Sequence, residues 1–160
     1  MFECVIAEDE ERARVKRAFA DARRAAGFAS PAPQPYGVSP DGARLWVRDV
    51  MQHLGASDAE VTASRNEGFD VHSVEHLIAA RVAHDLDEVP AEALRELYGV
   101  ATATGQRAML WTSGPVSRAG EEFAALAQIP VIHFDVEAGV WAPSNATGAS
   151  ALDALAASPA

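Results

Sequence analysis

The run His72-Ser-Val-Glu75-His76 spells H-x-x-E-H. On a helix its two imidazoles would share a face and could hold zinc, with Glu75 as general base, the arrangement of a zinc hydrolase. Val71, Val74, Leu77, Ile78, Val82 and Leu86 fit a 3.6-residue period, so the sequence permits a helix here. A five-residue motif with two free positions also arises by chance, and the same segment reads as two strands joined by a short turn. Six basic groups between Arg12 and Arg24 could meet phosphates, although a solvated helix face explains them as well. His53, His84 and His133 fall on a helix or at strand ends, where a packed or solvent-facing role is the plainer reading. Trp46, Trp111 and Trp141 read as core or core-edge residues, with stacking on bases the lesser reading.

The elements that must position these groups follow from period and punctuation. Residues 7–27 read as a helix. Val15, Phe19 and Ala22 form its apolar stripe, and Glu8, Asp9, Glu10 and Glu11 crowd its first turn, where the helix dipole favours acids. Glu8 with Arg12 and Glu10 with Arg14 are spaced for ion pairs on that face. The proline-rich stretch 30–36 cannot be helical, so a compact domain is expected from Gly37. Ser39-Pro40-Asp41 opens a second helix, with Ser39 as N-cap and Pro40 in the first turn, and Gly55 closes it. Three strands are predicted over 60–64, 68–73 and 77–84. A helix then runs from Pro90 to about Thr104, with Leu94, Leu97 and Val100 or Ala101 as its stripe, and Gly105 ends it. Strand 107–112, helix 117–127 and strand 129–135 imply a parallel crossover. Residues 143–160, rich in Ala, Ser and Pro, are expected to form a flexible tail with at most a short helix near 149–157.

Composition bounds the function. A chain of 160 residues with 49% hydrophobic and 22% charged residues suits one globular domain with a real core. No run of apolar residues is long enough to span a bilayer, and no secretory signal is read at the start, so the expected compartment is the cytoplasm and no membrane partner is expected. A single cysteine, Cys4, excludes an internal disulfide. The net charge of −10 tells mildly against nonspecific nucleic-acid binding, though a local basic face is compatible with it. Among the basic residues lysine occurs once, at Lys16.

Three segments carry a family resemblance. The run from Gly37-Val-Ser-Pro through Trp46-Val-Arg-Asp-Val-Met51 to Leu54-Gly55 resembles the opening helix of the Mrr-like restriction endonucleases, part of the PD-(D/E)XK nuclease group. Glu67-Gly-Phe-Asp-Val71 looks like that family's strand with an Asp between hydrophobic residues. The second half is matched by Val89, Arg95-Glu-Leu-Tyr-Gly99, Met109-Leu-Trp-Thr-Ser113, Ala119, Phe123-Ala124 and Ile129-Pro-Val-Ile132. Together the pieces cover roughly residues 37–141. The resemblance implies an α/β fold, a restriction-endonuclease-like mixed central sheet flanked by helices, here preceded by an N-terminal helix. It also implies Mg²⁺ chemistry: an Asp and a Glu or Gln on the next strand hold the metal. A Lys two positions further on stabilises the attacking water or the developing phosphate charge.

Position by position, that chemistry is incomplete. Asp70 stands on the family's metal-binding Asp. The next strand, Ala79-Ala80-Arg81-Val82-Ala83-His84, resembles the family's A-Q-V-K-H. The better register puts Arg81 on the Gln or Glu position and Ala83 on the Lys position; a shifted one puts Ala79 and Arg81 there. Neither holds both an oxygen ligand and a lysine, and Arg81 cannot ligate Mg²⁺. Arg44 stands near the place of a helix acid often found upstream. Asp70 with Arg81, joined by Arg44, is therefore expected to form a self-neutralised pocket, with Asp70 vestigial. In this alignment His72 ends a strand, residues 73–76 are the turn, and His72 and His76 bind no zinc. Thr112-Ser113-Gly114 ends a strand before a helix. In related proteins such a turn can approach a phosphate, which makes Ser113 a binding candidate, although Pro115 removes one backbone donor.

The sequence thus leads to a nuclease-fold pseudo-enzyme without a metal or other cofactor, acting as a binding module in DNA processing or defence. DNA, a protein partner and a second copy of the chain are the partner classes it leaves open. Two alternatives stand beside it: a divergent Mg²⁺-dependent DNA endonuclease, and the zinc hydrolase of His72 and His76.

Overall fold

The computed structural model describes residues 10–12, 14–15, 27–62 and 68–157. The helix expected over 7–27 lies mostly outside them, as do residues 63–64 of the first predicted strand. Helix α1 (Pro40–Leu54) begins as the sequence dictates: the Ser39 hydroxyl accepts the Gly42 N–H at 3.1 Å, and Pro40 takes the first helical position. Its Ala43, Trp46, Val47, Val50 and Met51 are buried, the three-four spacing of one helix face. Each of the larger side chains contributes about 1.5–3 kcal/mol by leaving water. Gly55 ends the helix at φ 133°, and a Cβ there would stand 2.3 Å from the Leu155 carbonyl oxygen. Only glycine permits that approach.

After α1 come β1 (Glu60–Val61), β2 (Val71–Ser73) and β3 (Ile78–Ala83). Then follow α2 (Ala91–Ala103), β4 (Arg107–Thr112), α3 (Arg118–Ala127), β5 (Val131–Asp135), β6 (Val140–Pro143) and α4 (Ala146–Ala157). The six strands lie side by side in chain order. β3, β4 and β5 run parallel, joined by the crossovers through α2 and α3, while β1, β2 and β6 pair antiparallel at the two sides. The sheet is mixed and flanked by helices, as the resemblance implied.

The two-residue alternation of β4 separates two cores. Met109 and Trp111 face α1 and α4, packing with Trp46, Val71, Ile132 and Phe134. Ala108 and Leu110 face α2 and α3, packing with Leu94, Leu97 and Val131. Two features differ from expectation. The proline-rich stretch is strapped to the domain: the Gln34 N–H donates to Val136 O at 2.7 Å, Trp46 Nε1–H to Ala32 O at 3.2 Å and His53 Nδ1–H to Phe28 O at 2.8 Å. And where a flexible tail is expected from residue 143, α4 packs on the sheet and puts Leu155 into the core at 2% exposure. Asn145 holds its start, accepting the Val131 and Gly148 N–H groups and donating to Ile129 O. Among the described residues no helix is long and apolar enough to cross a membrane.

Candidate functional site

Gly68, at φ 81°, lets the chain turn against Val100 of α2 and brings Asp70 to the start of β2. The Asp70 backbone N–H donates to Ala80 O at 2.8 Å, so this residue already belongs to the ladder with β3. Its carboxylate is fully engaged. Oδ2 accepts the Val82 N–H at 2.8 Å, and Oδ1 lies 3.2 Å from Arg44 Nε. The two side chains are 16% and 25% exposed, sheltered enough for the pair to matter. A second Arg44 nitrogen lies 3.5 Å from the exposed Asp41. The structure therefore brings together Asp70 and Arg44, two of the residues expected in a self-neutralised pocket.

Arg81 does not join them, which corrects that expectation. On β3 the residues Ile78, Ala80 and Val82 pack toward α1, and Ala79 and Ala83 toward α2 and α3. Alternation gives Arg81 the second face, where its guanidinium reaches Glu96 of α2 at 3.7 Å. Ala83 lies in the core with Val89 and Leu94 at 5% exposure, a place that would bury an ammonium without a partner. Ala80 and Val82, the β3 residues whose backbone groups bond Asp70, have no donor atom for Mg²⁺ in their side chains. Among the described residues no three His, Cys, Asp or Glu side chains converge as a metal site would require. The donor set does not fit the Mg²⁺ of the nuclease group.

The zinc alternative is also corrected. Residues 71–86 are strand, turn and strand, with His72 on β2 and His76 in the turn, so the two imidazoles do not stack on a helical face. The turn is held by Asp58, which the sequence did not single out. Asp58 Oδ1 accepts the Ser73 hydroxyl at 2.6 Å, and Oδ2 the Glu75 N–H at 2.9 Å. Partial burial alone would raise the Asp58 pKa. The hydrogen bonds from Ser73 and the Glu75 and Val74 amides outweigh it and hold the carboxyl below its ordinary range. His72 Nδ1 is buried with no hydrogen-bond partner, and nothing in the structure explains it.

Ser113 sits where the carboxyl ends of β3, β4 and β5 meet. The His84 side chain is 7% exposed, and its Nε2 lies 3.2 Å from Val38 O and 3.1 Å from Asp85 Oδ2. A carbonyl only accepts, so in the neutral ring Nε2 carries the proton and Nδ1 accepts the Ser113 hydroxyl at 3.0 Å. Ser113 Oγ also accepts the Asp85 N–H at 3.2 Å, and His133 Nε2–H donates to Ser113 O at 3.1 Å. The histidine-serine cluster ties three strands to the entrance of α1. Sequence spacing gives no signal for it, because His84, Ser113 and His133 are 20 to 29 residues from one another in turn and Val38 lies 46 residues before His84.

The restriction endonuclease family Mrr_cat matches residues 36–138, more than half of the chain. The chain belongs to the Mrr-like restriction endonuclease family. No curated protein and no solved structure matches it. The Mrr-like match spans the elements from α1 through β5, so Asp70, Arg44 and both β3 positions lie inside it.

Proposed function

We propose that this Mrr-like domain is a nuclease fold that no longer hydrolyses phosphodiesters and works by binding in DNA processing or defence. One observation carries the reading: Asp70, the residue on the metal-binding position, spends one oxygen on Arg44 and the other on the Val82 amide, beside Ala80 and Val82. A cation there would have to compete with the Arg44 guanidinium and the Val82 amide for the carboxylate. The charge pattern favours a protein partner over nucleic acid for the compact domain. Between residues 37 and 142 there are seven arginines and sixteen acids, and phosphate recognition draws on unpaired cations. The acidic run Asp85, Asp87 and Glu88 next to the Ser113 cluster fits the same reading.

The deciding experiment incubates the full chain with plasmid and duplex oligonucleotides in Mg²⁺ or Mn²⁺, beside Asp70→Asn. The expected result is no cleavage above the buffer blank by either protein. Metal-dependent cleavage by the native chain that Asp70→Asn abolishes would show a divergent endonuclease instead.

A further inference from the structure

A cleft opens at the amino ends of β3 and β4. It is about 13 Å along β3 from the Val82 amide, four residues at about 3.3 Å each. Its volume is about 770 Å³, within the range of small-molecule sites, about 300–1,000 Å³. Its lining includes Leu77 of the turn before β3, Tyr98 and Thr102 of α2, and Ala151 and Ala154 of α4.

Arg107 stands on the rim. The other described arginines between residues 37 and 142 are engaged: Arg44, Arg48, Arg81 and Arg118 in ion pairs, and Arg95 over the Phe123 ring. Arg107 alone has no partner for its side chain among the described residues. A guanidinium keeps its charge at every physiological pH, and apolar walls strengthen its pull on an anion. A second observation marks the same place. Leu77, outside any helix cap, lines the cleft in the left-handed conformation at φ 54°. Strained non-glycine residues gather at ligand clamps. Leu77 O also accepts the Arg107 N–H at 2.6 Å, which fixes the arginine's backbone to this edge. One carboxylate, Glu75, shares the lining. It disfavours a polyphosphate and suits a ligand with a single negative charge.

We propose that this cleft binds an organic monoanion, with an aromatic or aliphatic body on Leu77, Tyr98 and Ala154 and a carboxylate or sulfonate against Arg107. The site is independent of the reading of Asp70. The probe is 8-anilinonaphthalene-1-sulfonate, titrated into the full chain and followed by fluorescence. Saturable binding is expected. Arg107→Gln should weaken it about tenfold, the worth of a charge-assisted hydrogen bond. Ala154→Trp, which fills the cleft from an exposed position on α4, should abolish it, and Thr102→Trp does the same from α2 should the first variant misfold by circular dichroism. Decanoate should displace the probe, and decanol at the same concentration should not. No saturable binding by the native chain, unchanged affinity in Arg107→Gln, or equal displacement by decanol overturns the proposal.

Discussion

Replacing Arg44 by alanine tests whether the Asp70 centre is a closed ion pair. At about 4 Å and an effective dielectric of about 20, two unit charges attract by about 4 kcal/mol. Desolvation of both groups and the freezing of the arginine offset part of that gain. Fully exposed pairs keep about 0–1 kcal/mol, and breaking a fully buried pair costs about 3–5 kcal/mol. With side chains 25% and 16% exposed, Arg44 and Asp70 fall between these limits. Asp70 also retains its Val82 hydrogen bond when the arginine is gone. The expected loss in Arg44→Ala is therefore about 2 kcal/mol, which for a domain of this size lowers Tm by roughly 4–8 °C. In urea, with m about 2 kcal/mol/M, the midpoint should fall by about 1 M. A double-mutant cycle with Asp70→Asn isolates the pair, and a coupling of about 1–2 kcal/mol is expected. A destabilisation below about 0.5 kcal/mol, or strict additivity in the cycle, would refute the reasoning.

The Asp58 carboxyl, held below its ordinary range, makes stability fall in acid. The unfolded chain binds the proton more readily, so the contribution is complete above the ordinary aspartate range and is lost as pH drops through the lower folded value. Urea midpoints measured from about pH 6 down to 3 should fall less steeply in Asp58→Asn than in the native chain; parallel curves would show that the turn does not depend on the charge. At the end of α3, Gln128 adopts φ 55° and ψ 47°, the position glycine usually takes after a helix. Gln128→Gly should raise stability by about 0.5–1 kcal/mol in thermal melts, and a lower Tm would contradict the strain assigned there.

Much of the fold was legible because period and punctuation agreed. The strand predicted over 107–112 coincides with β4, and the helix from Ser39-Pro40 to Gly55 with α1 and its caps. Helix α4 was under-read because its contacts are made by small residues. Gly148 lies so close to the sheet that a Cβ would stand 2.5 Å from Val131 O, and a surface of glycine and alanine leaves no apolar stripe in a sequence. The Asn145 cap was the signal available for it. At the site, the sequence brought Asp70 and Arg44 together but did not show the partner that Arg81 takes. Arg81 stands across the ladder from Asp70, but its long side chain reaches Glu96 of α2, a partner that strand alternation alone does not reveal. Arg107 and Asp58 gave no signal in the sequence, and the bond from His84 to Ser113 gave none either, because these roles depend on partners far along the chain.

The Asp70 carboxylate also stands in for a missing strand. β2 has no further backbone carbonyl to offer where β3 continues, and Oδ2 supplies the acceptor that Val82 needs. On the proposed reading, rebuilding a cutting enzyme on this scaffold would take more than a glutamine at position 81 and a lysine at position 83. The engineer would also have to move the Arg44 guanidinium while keeping an acceptor for the Val82 amide.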